Sequence, residues 1–201
     1  MKQSKRHVDQ VRTNNLHRLT DYMYQKAGYT ISRKHDTENQ LNGIDIVLTK
    51  DNKTFFVDEK AAITAWNKDL QTFALEIRTL NNTDNEGWLF NQKLKTTHYA
   101  LLFPRSENAQ LTQLYKMDII LIDKKHILEL LKTYQCHTKQ NIFFRIDNFG
   151  QLYNGAYRYH VSEQIQIVKS IQLREQPTCI VIDKDILKNL ATDYLFWKKN
   201  H

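Results

Sequence analysis

A chain of 201 residues with 41% apolar side chains, five glycines and two prolines can bury a full core, and its composition excludes a disordered or low-complexity protein. Lys and Arg outnumber Asp and Glu by 29 to 22, a net charge of +7 that favours a polyanionic partner through phosphate neutralisation. Two cysteines, Cys136 and Cys179, make no disulfide framework, and no second Cys/His pair stands at zinc spacing from Cys136-His137. No apolar run reaches the length of a membrane span and the N-terminus is polar, so the expected protein is cytoplasmic and not membrane-bound.

Along the chain, residues 7–27 place Val8, Val11, Leu16, Leu19, Tyr22 and Met23 at helical spacing, with Gly28 where a left-handed terminating residue belongs. Residues 29–32 predict a first strand, and 33–42 a polar loop in which Arg33, Lys34 and His35 could meet phosphates but are more simply solvated. The next stretch, 43–62, carries the most chemistry. Ile44, Ile46 and Leu48 alternate with Asp45 and Val47, residues 50–53 break the pattern, and Phe55-Phe56-Val57 resume it and run into Asp58-Glu59-Lys60. That pattern predicts a hairpin. Side chains alternate across a strand, so Asp58 and Lys60 share one face, Glu59 takes the other, and the hairpin sets Asp45 alongside Asp58. Two carboxylates and an ammonium at the ends of apolar strands are costly to bury unpaired, and a divalent cation is their natural partner. Mg²⁺ prefers one or two carboxylates with waters and phosphate oxygens, and a lysine beside it supplies a fixed positive charge.

Downstream, Trp66, Leu70, Phe73, Ala74, Ile77 and Leu80 predict the buried face of a second helix over 66–80, capped by Asn67. A polar loop follows from residue 81, and its aromatics Trp88 and Phe90, beside Lys93 and Lys95, suit stacking on bases or, more commonly, the core. Residues 96–103 predict a strand closed by Pro104. A strand–Asp–helix unit then occurs twice: 119–122, Asp123 and a helix over 126–132, then 179–182, Asp183 and a helix over 186–197. Between the two lie an apolar run at 142–146 and Asn154-Gly155, a type I′ hairpin pattern. Tyr153, Tyr157, Arg158, Tyr159 and His160 mix aromatics with cations, a composition suited to recognition, to dimer formation or to packing alone.

Asp45, followed thirteen positions on by Asp58-Glu59-Lys60, with strand-forming residues before both, resembles the PD-(D/E)xK nuclease superfamily. The resemblance spans roughly residues 7–103 and departs at Ile44, where the family name has proline. It implies an α/β fold: a restriction-endonuclease-like core, a central mixed β-sheet flanked by helices, placed over residues 1–132; the repeated strand–Asp–helix unit, outside the resemblance, predicts a C-terminal α/β extension over 133–201. The resemblance implies that Asp45, Asp58 and Lys60 are catalytic. Asp45 and Asp58 would bind the metal, with Glu59 contributing through its main-chain carbonyl. Gln71 and Glu76, off the apolar stripe of the second helix, are accessory candidates on the same ground. The first helix offers Asn15, Leu16 and His17 where many members have a glutamate, so that role is not carried over. The implied activity is a Mg²⁺-dependent endonuclease, with Mn²⁺ able to substitute, acting on DNA. Alternatives are a junction resolvase or exonuclease of the same superfamily and a non-catalytic nucleic-acid-binding module. A homodimer, one site per DNA strand, is the assembly the resemblance suggests.

Overall fold

The computed structural model describes residues 5–78, 87–173 and 176–199. The apolar stripe at the N-terminus forms helix α1, Lys5–Lys26, and the chain turns at Gly28, whose φ of +86° is open to glycine without strain. Strand β1, Thr30–Arg33, follows. The stretch expected to be loop contains a short helix, α2, Thr37–Leu41, because the Asp36 carboxylate accepts the Asn39 N–H at 2.9 Å and caps it. Strands β2, Ile46–Lys50, and β3, Lys53–Ala61, form the expected hairpin. Its two turn residues, Asp51 and Asn52, both have positive φ (50° and 60°), as a type I′ connection requires.

By its contacts the chain divides into two units that interleave in sequence: residues 1–70, 95–123 and 191–201, and residues 71–94 and 124–190. A single break, after residue 132, is what the sequence leads one to expect. The first unit carries a six-stranded mixed sheet. Beside β1, β2 and β3 it contains β5, His98–Ser106, β6, Leu114–Asp123, and β11, Asp193–Lys198, in the order β1-β2-β3-β5-β6-β11. Only the β3–β5 pair is parallel. The register sets Ile46 opposite Val57 and Leu48 opposite Phe55, and these four pack with Leu16 and Tyr24 of α1 and Leu102 and Ile119 of the sheet into one core. Strand β5 continues through Pro104, where a stop was expected. The Leu102 carbonyl accepts the Ala62 N–H, so the Pro104 nitrogen, two residues on, faces the same side, beyond the end of β3, and its missing N–H breaks no ladder bond.

The second unit carries a five-stranded antiparallel sheet, β4-β10-β9-β8-β7. Its strands are β4, Thr72–Arg78, β7, Gln151–Tyr153, β8, Ala156–His160, β9, Ile165–Ser170, and β10, Thr178–Asp183. Its helices are α3, Lys124–Thr133, α4, Lys139–Phe149, and α5, Lys184–Asn189. The run 142–146 lies in α4, started by the Thr138 hydroxyl accepting the Asn141 N–H. Asn154-Gly155 makes the expected turn, with φ of 47° and 74°.

Two expected helices are corrected. Residues 66–80 do not form one: after a single 3₁₀ turn at Ile63–Ala65 the chain becomes strand β4, with Phe73, Leu75 and Ile77 buried and the residues between them outside the core. The helix expected over 186–197 ends at Asn189, and residues 193–198 form β11, which pairs with β6. Leu80, the loop from residue 81 to 86 and the side chains of Val8 and Val11 lie outside the described residues. The architecture is α/β, a mixed sheet and an antiparallel sheet with few helices. Among the described residues no helix is long and apolar enough to cross a membrane.

Candidate metal centre at the ends of strands β2 and β3

Asp45 sits one residue before β2, and its backbone is fixed on both sides. Its N–H donates to the Val57 carbonyl at 3.0 Å and its carbonyl accepts the Lys34 N–H at 2.8 Å. Here β2 has ended while β3 continues, so the Glu59 N–H has no main-chain partner on that side. The Asp45 carboxylate supplies one, accepting that N–H at 2.9 Å. Asp45 stands close enough to Asp58 for its charge to raise the Asp58 carboxyl, and the Lys60 ammonium is 2.6 Å from Asp58 Oδ1. The sequence-predicted trio Asp45, Asp58 and Lys60 therefore converges.

Burial sets the electrostatics. Asp58 is 3% exposed, and loss of water pushes its carboxyl up to about 7; Lys60 pulls it down and Asp45 adds to the rise. Tyr99, opposite Asp58 on β5, is buried, and burial followed by the Asp58 charge raises its hydroxyl as well.

Glu59 points to the other face, as strand alternation requires, and its side chain is no part of the pair. It is buried against α1, where it accepts the Tyr24 hydroxyl at 3.0 Å and the Arg33 guanidinium at 2.6 Å. Arg33 also reaches Asp21 at 2.6 Å and the Thr20 hydroxyl at 2.8 Å, tying α1 to β1 and β3. Arg33, expected in a solvated loop, is a paired cation at the end of a strand. No local pattern points to it, because its partners are 12 and 26 residues away. Burial raises the Glu59 carboxyl while Arg33 and Tyr24 hold it down. Next to this network lies a cleft of about 240 Å³, lined by Asn14, His17, Lys34, His35 and Gln40 and reaching Asp45 and Glu59. Burial, then Arg33, lowers the His17 imidazole below its ordinary value, so it is neutral near pH 7. A larger cleft of about 610 Å³ is lined by Asn15, Arg18, Tyr22, Leu111 and Trp197 among others, with no acidic side chain among the described residues.

Gln71 and Glu76 belong to the second unit. The Gln71 carbonyl accepts the Lys184 N–H at 2.7 Å, and Glu76 stands opposite Cys179 on β10. Their case rested on a helix that does not form, and it lapses with the helix.

Among the described residues no group of three or more His, Cys, Asp or Glu side chains is arranged to hold a metal ion. The centre offers two carboxylates. That is the donor set Mg²⁺ accepts when waters and phosphate oxygens complete its shell. The Glu59 carbonyl lies on the same strand edge as its N–H, facing Asp45, because N–H and C=O of one residue point to one side of a strand. The residues present thus fit Mg²⁺. Compared with protein-family models, with curated proteins and with solved structures, the chain has no significant match.

Proposed function

We propose that this chain is a Mg²⁺-dependent nuclease that hydrolyses phosphodiester bonds of DNA, with a restriction-endonuclease-like core in the first unit. The observation that carries the reading is the Lys60 ammonium at 2.6 Å from the buried Asp58 carboxyl, with Asp45 near enough to act on the same carboxyl. The order of elements supports it: a helix, an antiparallel run of three strands, and a parallel strand beside the one bearing Asp58 and Lys60. One departure is plain. The segment between β3 and β5 contains β4 of the second sheet, where the family has a helix.

Asp45, Asp58 and the Glu59 carbonyl would hold the Mg²⁺, or Mn²⁺ in its place. When bound, such an ion acidifies a coordinated water and neutralises charge on the phosphodiester. The chain's own residues do the rest. Asp45 braces the Glu59 backbone and so fixes the separation of the two acids. Lys60, about a third exposed beside a buried acid, is the charge that can face both the carboxylate and a phosphate arriving from solvent. There it orients the attacking water and stabilises the pentacovalent phosphate.

The test is supercoiled plasmid incubated with the protein and Mg²⁺. Wild type should nick or linearise it, and Lys60→Ala should be slower by about three orders of magnitude or more while still folding. Equal rates for the two proteins would remove Lys60 from the chemistry. One observation favours a second reading, a non-catalytic nucleic-acid-binding module: Lys60 already neutralises Asp58 without an ion. That reading predicts salt-sensitive DNA binding with no turnover in any divalent cation.

A further inference from the structure

The second unit exposes a run of aromatic rings that its core does not use. On α4, Phe144 and Phe149 are 61% and 57% exposed, and their rings meet edge to face at 5.8 Å. Phe149 leads to Tyr159 of β8, 6.3 Å away, over which the Arg145 guanidinium is placed at 5.7 Å. Tyr157 stands on the same face of β8 as Tyr159, and its cross-strand partner Leu152, 59% exposed, extends the patch to the sheet edge. Exposed apolar side chains in one continuous patch mark a binding surface.

We propose that this patch binds unpaired bases of a nucleic acid by stacking. Charge selects the occupant. Between residues 138 and 171 four basic residues stand against two acidic ones, in a chain of net charge +7. A guanidinium lies within the ring cluster itself, and a second, Arg78, lies over Phe143 of the same helix at 5.3 Å. Rings interleaved with cations suit a backbone of phosphates carrying bases. The bases must be unpaired, because in a duplex each base face is already covered by its neighbours. The pairing of Lys169 with Asp147 at 2.6 Å leaves Asp147 no net repulsion to offer a phosphate.

The inference deepens the nuclease reading by naming DNA with single-stranded segments, such as forks and flaps, as the substrate class. The test separates the two. Binding of fluorescent single-stranded and duplex oligonucleotides of equal length is measured by anisotropy in EDTA, so no cleavage enters the result. The single strand should bind more tightly. Phe144→Leu and Phe149→Leu, which keep apolar bulk and lose the π-face, should each weaken it about tenfold, and Phe144→Trp should retain it. Leucine variants that bind like wild type, or a wild type preferring duplex, would overturn the proposal. So would sedimentation showing a wild-type dimer that the leucine variants dissolve with DNA binding unchanged, since the patch would then be a contact between copies. Loss of cleavage with this binding intact would count against the metal centre alone.

Discussion

At the scale of single residues, Asp58 ties stability to pH. Its folded carboxyl is raised to about 7 by burial, against an ordinary value of 3.8, so the folded state holds this proton more tightly than the unfolded chain does. The stabilisation is complete below the unfolded value and is lost as pH rises through about 7. Urea unfolding of the metal-free protein should therefore show stability falling from pH 5 to pH 8, and Asp58→Asn should flatten that slope; an unchanged slope would contradict the assignment. Glu59 and Arg33 behave differently, because they are charges buried with each other. Arg33→Ala leaves the buried Glu59 carboxylate with no cation, only the Tyr24 hydroxyl, and should cost about 3–5 kcal/mol in the same measurement, while Glu59→Ala should cost less because Arg33 keeps Asp21. Asp45, Asp58 and Lys60 could be read from the sequence because strand alternation and one tight turn decide which side chains meet. The Arg33–Glu59 pair could not, since it joins two strands and a helix whose relative placement no local pattern encodes.

At the scale of elements, the ambiguity lies in period. Phe73 and Ile77 are four apart and satisfy a helical stripe, yet they also share one face of a strand. Leu75, fully buried between them, decides for the strand, and a helical reading has no place for it. The same holds for residues 193–198, where Leu195 and Trp197 turn inward while Tyr194 and Phe196 are exposed. Turns were far more legible: Asn154-Gly155 and Asp51-Asn52 adopt the positive φ that their residue types allow. Gly87 tests the packing against β4. Its N–H donates to the Ile77 carbonyl at 2.8 Å, and an added Cβ would lie 2.4 Å from the Ile77 carbonyl carbon. Gly87→Ala forces backbone against backbone and should cost about 1–3 kcal/mol in thermal or urea unfolding; a neutral effect would contradict a tight approach of residue 87 to β4.

At the scale of the molecule, each unit is built from segments distant in sequence. The last strand, β11, completes the first unit's sheet on β6, and Asp193 at its start accepts the Tyr29 hydroxyl at 3.1 Å and pairs with Lys50 at 3.4 Å. A chain truncated after residue 190 should lose the cooperative unfolding of that unit; an unchanged midpoint would show β11 to be dispensable. The sequence reveals a basic α/β protein with an acidic pair near its N-terminus. It does not reveal that β11 crosses back, because a strand's partner is set by long-range register that its own six residues do not specify.

In the proposed mechanism the carboxyls of Asp45 and Asp58 hold one divalent cation between them. Calorimetric titration of the protein with Mn²⁺ at pH 8 and at pH 6 tests it directly. Wild type should bind at pH 8, and bind about tenfold more weakly at pH 6 with release of a proton, because Asp58 must first give one up; Asp58→Asn should not bind at either pH. Binding by Asp58→Asn equal to wild type, or no binding by wild type at pH 8, would contradict it.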